Sequence, residues 1–294
     1  MVGLLVAGLC MLCLLPPGCG KETGKENAAG DEAQERASAG AATESREWTA
    51  ERAHTLLKAT NPGYNWDAAF RIEEGKVTGA ELTGTNVTDL SPLAEMDLTG
   101  LDLRGMPISD ISPLRDLPLV ELYLEDTRVD NLEPLRGMNL VSLYLSNTRV
   151  SDLRPLKGMP LETLNLLGTE VYDLSPLRGM PLKFLWLNET PVEDISPLRD
   201  CPLVSLTLHR TNVTNLEPLA GSNLRRLHIG ETPVTDLTPL KDLNLTRLVF
   251  TPARITRGID IARNMASIQE IGPTFENRLP PAAFWAMYDQ GMFK

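Results

Sequence analysis

A proline followed by leucine recurs at Pro92, Pro113, Pro134, Pro155, Pro176, Pro197, Pro218 and Pro239, each 21 residues after the last. The same step carries a Leu-x-Leu pair. It runs from Leu101/Leu103 through Leu122/Leu124, Leu143/Leu145, Leu164/Leu166, Leu185/Leu187 and Leu206/Leu208, and continues as Leu227/Ile229 and Leu248/Phe250. Three residues ahead of each pair stands another leucine, from Leu98 to Leu245. Eight registers kept without insertion or deletion define a repeat protein.

The spacing limits what one unit can be. Leu-x-Leu has period two, so both leucines face one side of a short strand. The proline bars a long helix and suits a 3₁₀ turn on the opposite side. A span of 21 residues leaves no room for a strand, two loops and a full α-helix. The expected fold is therefore an α/β solenoid, with parallel strands on a concave face, 3₁₀ turns on a convex face and helical caps. One coil alone buries too little apolar surface to offset its chain entropy, so stability has to accumulate by stacking.

The unit Leu-x-x-Leu-x-Leu-x-x-Thr-x-Val-x-Asp-Leu-x-Pro-Leu resembles the short, internalin-like leucine-rich repeats of bacteria. That resemblance implies a leucine-rich repeat solenoid. The C-terminal stretch, from Ile255-Thr256-Arg257-Gly258 to Ala283-Phe284-Trp285-Ala286-Met287-Tyr288-Asp289, resembles the tail of planctomycete-type repeat proteins, and Asn61-Pro62-Gly63-Tyr64 is similar to their opening segment. In such bacteria similar repeats also trail serine/threonine kinase domains. Here there is no glycine-rich nucleotide loop, no His-Arg-Asp and no Asp-Phe-Gly. With only His54, His209 and His228 available as bases, no active site is read and the chain is not expected to be an enzyme.

Two polar ladders have structural readings. Thr85, Thr127, Thr148, Thr169, Thr190, Thr211 and Thr232 occupy the slot where longer repeats place asparagine, whose side chain bonds turn backbone. Asp89, Asp110, Asp152, Asp173, Asp194 and Asp236, with Asn131 and Asn215, stand where an oxygen would cap the following 3₁₀ turn. Calcium is the alternative, but the glycine-rich consensus of calcium-binding β-helices is missing and asparagine caps equally well. Cys201 takes the slot of Met138, Met159 and Met180 and reads as a buried apolar filler rather than a reactive thiol. No metal or cofactor is expected.

Residues 2–15 form an unbroken run of 14 apolar or glycine residues, stopped by Pro16 and Pro17. That length suits a secretory signal and is short for a membrane span. Gly18-Cys19 at its end resembles the lipobox of bacterial lipoproteins, which implies cleavage before Cys19 and lipid attachment to it. Secretion with Cys19 unmodified is the alternative. The expected organisation is a signal over 1–18, a disordered polar tether over 19–47, an N-terminal cap over 48–76, repeats over 77–251 and a C-terminal cap over 252–294. A helix from Trp48 to Ala59 capped by Thr49, and a hairpin around Glu73-Glu74-Gly75, are expected in the first cap. A helix capped by Thr256 and a last helix starting at Pro281 are expected in the second.

A net charge of -11 removes the basic footprint of a nucleic-acid binder. Function is therefore sought on the concave face. Its central column reads Glu81, Asp102, Tyr123, Tyr144, Asn165, Trp186, Thr207, His228 and Val249. Flanking columns add Glu121, Phe184, Arg226 and Arg247 on one side, and Arg104, Glu125, Leu167 and His209 on the other. Tyr123, Tyr144, Phe184, Trp186, His209, Arg226 and His228 are the candidate partner-binding residues, since aromatics on an exposed sheet are typical interface anchors. The plainer reading is that large side chains pack on one another across strands. The face is expected to be acidic around Glu81, Asp102, Glu121 and Glu125, and basic around Arg226, His228 and Arg247.

The function expected is an exported, monomeric, non-enzymatic module, lipid-anchored at the bacterial cell envelope, that grips an unknown protein partner through this face. The alternative is a structural envelope protein binding cell-wall or surface glycan, with Trp186, Tyr123 and Tyr144 as stacking platforms.

Overall fold

The computed structural model describes residues 47–293. The expected signal, Cys19 and most of the expected tether lie outside the described residues. Eleven strands form one sheet in strict sequence order. The chain enters through helix α1 (Ala50–Thr60) and an antiparallel hairpin, β1 (Ala69–Glu73) and β2 (Lys76–Glu81). Nine further strands follow, all parallel: β3 (Gly100–Asp102), β4 (Glu121–Tyr123), β5 (Ser142–Tyr144), β6 (Thr163–Asn165), β7 (Phe184–Trp186), β8 (Ser205–Thr207), β9 (Arg226–Ile229), β10 (Arg247–Phe250) and β11 (Glu270–Gly272). Helices α2 (Ile259–Asn264) and α3 (Pro281–Asp289) flank β11.

The 21-residue period is the sheet register. Leu101 pairs Leu122, Leu122 pairs Leu143, and the series continues to Leu227 and Leu248. Both leucines of every pair from Leu101/Leu103 to Leu206/Leu208 are buried, and the residue between them points to the open face. After each strand from β2 to β9 the Pro-Leu pair sits in a short 3₁₀ turn such as Ser175–Leu177, with proline in its first turn. The leucines, valines and methionines at the inward positions of all coils join one continuous core. Cys201 is buried in the methionine slot, its thiol 3.5 Å from the Leu177 carbonyl and pushed up in pKa by burial.

Both ladders are structural. Each threonine hydroxyl, Thr169 for example, donates to the carbonyl three residues back (Leu166, 2.7 Å) and is buried. Each aspartate or asparagine accepts from the backbone N–H two residues on, as Asp110 does from Ser112 (2.8 Å) and Asn131 from Glu133 (2.9 Å). These side-chain turns lead into the 3₁₀ segments.

One recurring strain went unread in the sequence. Gly84, Gly105, Asp126, Asn147, Gly168, Glu189, Arg210 and Glu231 stand 21 residues apart just after the strands, all left-handed with φ between 57° and 74°. Most of these positions are not glycine. The conformation is held between coils, since the N–H groups of Asp126, Asn147 and Glu189 donate to the carbonyls of Ser146, Leu167 and His209 at 2.8–2.9 Å.

In the caps, Thr49 accepts from the Arg52 N–H at 3.2 Å as an N-cap. Buried Asn61 ties the end of α1 to the first coil, accepting from the N–H groups of Thr88 and Asp89 at 2.9 and 2.8 Å. Thr256 does not cap α2. Its hydroxyl donates to Thr235 O at 3.3 Å, and the helix begins instead from left-handed Gly258, whose backbone runs against Leu237 and Thr238 where a Cβ would clash.

Candidate functional site: the open face of the sheet

Alternation along strands of three or four residues turns Tyr123, Tyr144, Trp186 and His228 to one face, with Phe184 and Arg226 in the column before and His209 in the column after. All seven are half-buried, neither in the core nor fully solvated. Six of them pair with one another. Tyr123 stacks on Tyr144, Phe184 lies 6.4 Å from Trp186, and the His209 and His228 rings stack at 4.9 Å. Packing within and between strands therefore accounts for part of their burial, and all seven keep some exposure to solvent.

Arginines border this stripe. The Arg104 guanidinium lies 5.5 Å from the Tyr123 ring centre and is held by Asp102 at 2.9 Å, while Arg226 lies 5.8 Å from the Phe184 ring centre. Burial raises the pKa of Tyr123, reinforced by Glu121, whose carboxylate accepts from the Tyr123 hydroxyl at 3.4 Å. Burial also raises Tyr144 and the half-buried Glu125.

The far end of the face departs from the sequence reading. Val249 is fully buried. After β11 the chain folds back, Leu279 bridging to Ile271, so that a Cβ on Gly272 would meet Asn277 O at 2.2 Å. The returning loop covers the open side of the last strands. It also delivers Phe275, 41% exposed, onto His228 at 6.4 Å, with Arg278 and Arg247 3.9 and 5.8 Å from its ring centre. Phe275 belongs to no repeat and was not a candidate. Its only trace in the sequence is Gly272, a side-chain-less position in register with Val249.

The basic end is correspondingly weaker than expected. Burial, with His209 alongside, lowers the His228 pKa to about 4, so its ring is neutral near pH 7. Arg247 is paired with Glu270, which Arg278 also approaches. At the acidic end Asp102 is 8% exposed and neutralised by Arg104. Among the described residues no group of three or more His, Cys, Asp or Glu side chains is placed to hold a metal ion, and no helix is long and apolar enough to cross a membrane.

Two solved structures share this architecture. An internalin (inlF) of Listeria monocytogenes is 25% identical, with 74% of this chain and 73% of that chain covered and a TM-score of 0.57. The fold is a leucine-rich repeat solenoid. Internalin C2 of the same species superposes with a TM-score of 0.58 at 24% identity, over 67% of this chain and 92% of its own. No protein-family model matches the chain, and no curated protein matches it in sequence. The leucine-rich repeats thus have bacterial structural neighbours.

Proposed function

We propose that the chain is a non-enzymatic binding module that grips a protein partner through the concave, open face of its leucine-rich repeats. The observation that carries this is the half-exposed stripe of Tyr123, Tyr144, Phe184, Trp186, His209, Arg226 and His228 on a sheet whose other face is committed to the core. Aromatic and arginine side chains at the centre of such a surface supply most of the affinity in protein interfaces. The internalin-like architecture supports the same reading.

On this proposal the module is exported and held at the cell envelope by a lipid on Cys19, with residues 19–47 as tether, and it acts as a monomer. Cys19→Ser then releases the protein into the soluble fraction. Retention at the membrane sinks the anchor.

The face is tested with a photo-crosslinking residue placed in the full chain at Asn165 or Thr207, and at exposed Tyr172 beside a 3₁₀ turn, in native cells. Discrete protein adducts from the first two positions and none from the third are expected. Adducts only from position 172, or none, overturn the reading. The glycan reading draws on the uncharged Ser142, Thr163, Asn165 and Thr207 around the rings. Retention on purified wall glycan that Trp186→Ala abolishes would favour it.

A further inference from the structure

Resting on that reading, we infer that the partner element is an extended peptide segment crossing the strands, with an aromatic side chain inserted above Asn165, a cation toward Glu121 and an anion toward Arg226. The notch comes from residue size. Asn165, on β6, lies between Tyr144 on β5 and Trp186 on β7, in one cross-strand column. Two strand spacings, about 9.6 Å, separate the backbones that carry the two rings. A third ring set midway stands about 4.8 Å from each, within the 4.5–7 Å of aromatic pairs and close to the 4.7 Å at which Tyr123 and Tyr144 already stack. The floor has a matching donor. Asn165 Oδ1 is occupied by the Leu167 N–H at 3.1 Å, and its Nδ2 takes no partner among the described residues, so it is available to a carbonyl of the segment.

The charges left over give the segment its direction. Most ionic groups near the face cancel locally: Asp102 with Arg104, Glu162 with Lys183, and Glu270 with Arg247 and Arg278. Among the described residues Glu81 and Glu121 take no ion pair at one end, and Arg225 and Arg226 take none at the other. Arg226 leans inward over Phe184. Glu121 stands two strands from Asn165 and Arg226 three strands on the other side. Those steps are about 10 and 14 Å, or roughly three and four residues of extended chain. The segment therefore carries an aromatic residue with Lys or Arg three positions to one side and Asp or Glu four positions to the other. Opposite charges at the two ends fix its orientation.

The test pans a phage-displayed library of random linear 12-residue peptides on the full chain and, in parallel, on the charge-swapped double variant Glu121→Arg with Arg226→Glu. Unchanged thermal unfolding confirms that the variant folds. The full chain is expected to enrich the aromatic-centred pattern, the swapped variant the same pattern with its charges exchanged, and each selected peptide to lose at least tenfold affinity for the opposite protein. A pool without charge order, the same pool from both proteins, or no enrichment overturns the inference. Concave-face crosslinking in cells alongside an unordered pool removes this inference alone. Loss of both removes the binding reading as well.

Discussion

Tyr123 and Tyr144 are cross-strand partners whose rings lie 4.7 Å apart, with planes 7° from parallel. Each therefore covers a face of the other, and the pair contributes to the sheet as well as to any docking surface. A double-mutant cycle of Tyr123→Ala and Tyr144→Ala in urea unfolding is expected to show a coupling of about 0.5–1.5 kcal/mol. Strictly additive single effects would mean that the stack adds nothing to stability.

The buried threonines make a sharper stability test. Thr169 is 3% exposed and its hydroxyl closes a 2.7 Å bond to Leu166 O. Thr169→Val keeps the shape and deletes the donor, and it should cost about 1–2 kcal/mol. Tyr172→Ala, at a 66% exposed position directly after the same coil's buried Val171, should stay within about 0.5 kcal/mol. Equal effects at the two sites would remove the structural role given to this column.

Gly272→Ala probes the returning loop. The added methyl has no room against Asn277 O and the Arg278 backbone. The loop should lift, Phe275 should leave His228, and tryptic cleavage after Arg278 should accelerate, with a stability loss of about 1–3 kcal/mol. An unchanged cleavage rate would show that the loop does not depend on close approach to β11.

His228 gives the solenoid a pH dependence. Its pKa falls from 6.5 to about 4, through burial first and His209 second, with Arg278 also opposing and Glu276 and Glu231 favouring the charged ring. In the folded protein it stays neutral over a range where the unfolded chain takes up a proton. Its contribution is therefore whole above pH 6.5, declines as pH falls toward 4, and declines no further below that. His228→Gln should flatten the unfolding free energy across that window by roughly 1–3 kcal/mol. A pH profile identical to that of the unmodified chain would count against the depressed value.

The repeats were legible because period and spacing translate directly into geometry: Leu-x-Leu became strand, Pro-Leu became 3₁₀ turn, and Cys201 went where Met180 goes. Other features depend on contacts that no local pattern encodes. Glu189 and Arg210 carry no glycine signal, and their left-handed backbones follow from hydrogen bonds to the next coil. The turn after each 3₁₀ segment is an intermediate case. Where Gly137, Gly158 and Gly179 stand, the preceding residue has ψ 124° and the glycine a positive φ; where Asp116, Asp200 and Asp242 replace glycine, the preceding residue is helical instead. Two turn types thus share one slot, chosen by a single residue. Val249 and Phe275 were misread or missed for the same reason as each other, because a segment from outside the repeats settles on the last strands.

That returning segment also bears on how such a sheet avoids growing. A terminal parallel strand with bare amides and carbonyls is a template for any loose chain of the same kind. By pairing Leu279 with Ile271, the protein spends that valence internally at one end. At the other end the five-residue margin β1 is short and interrupts its apolar residues with Arg71 and Glu73. Selection against fibre formation would then fall on residues 273–279 and on those two charges, and damage there would surface as aggregation before it surfaced as lost recognition.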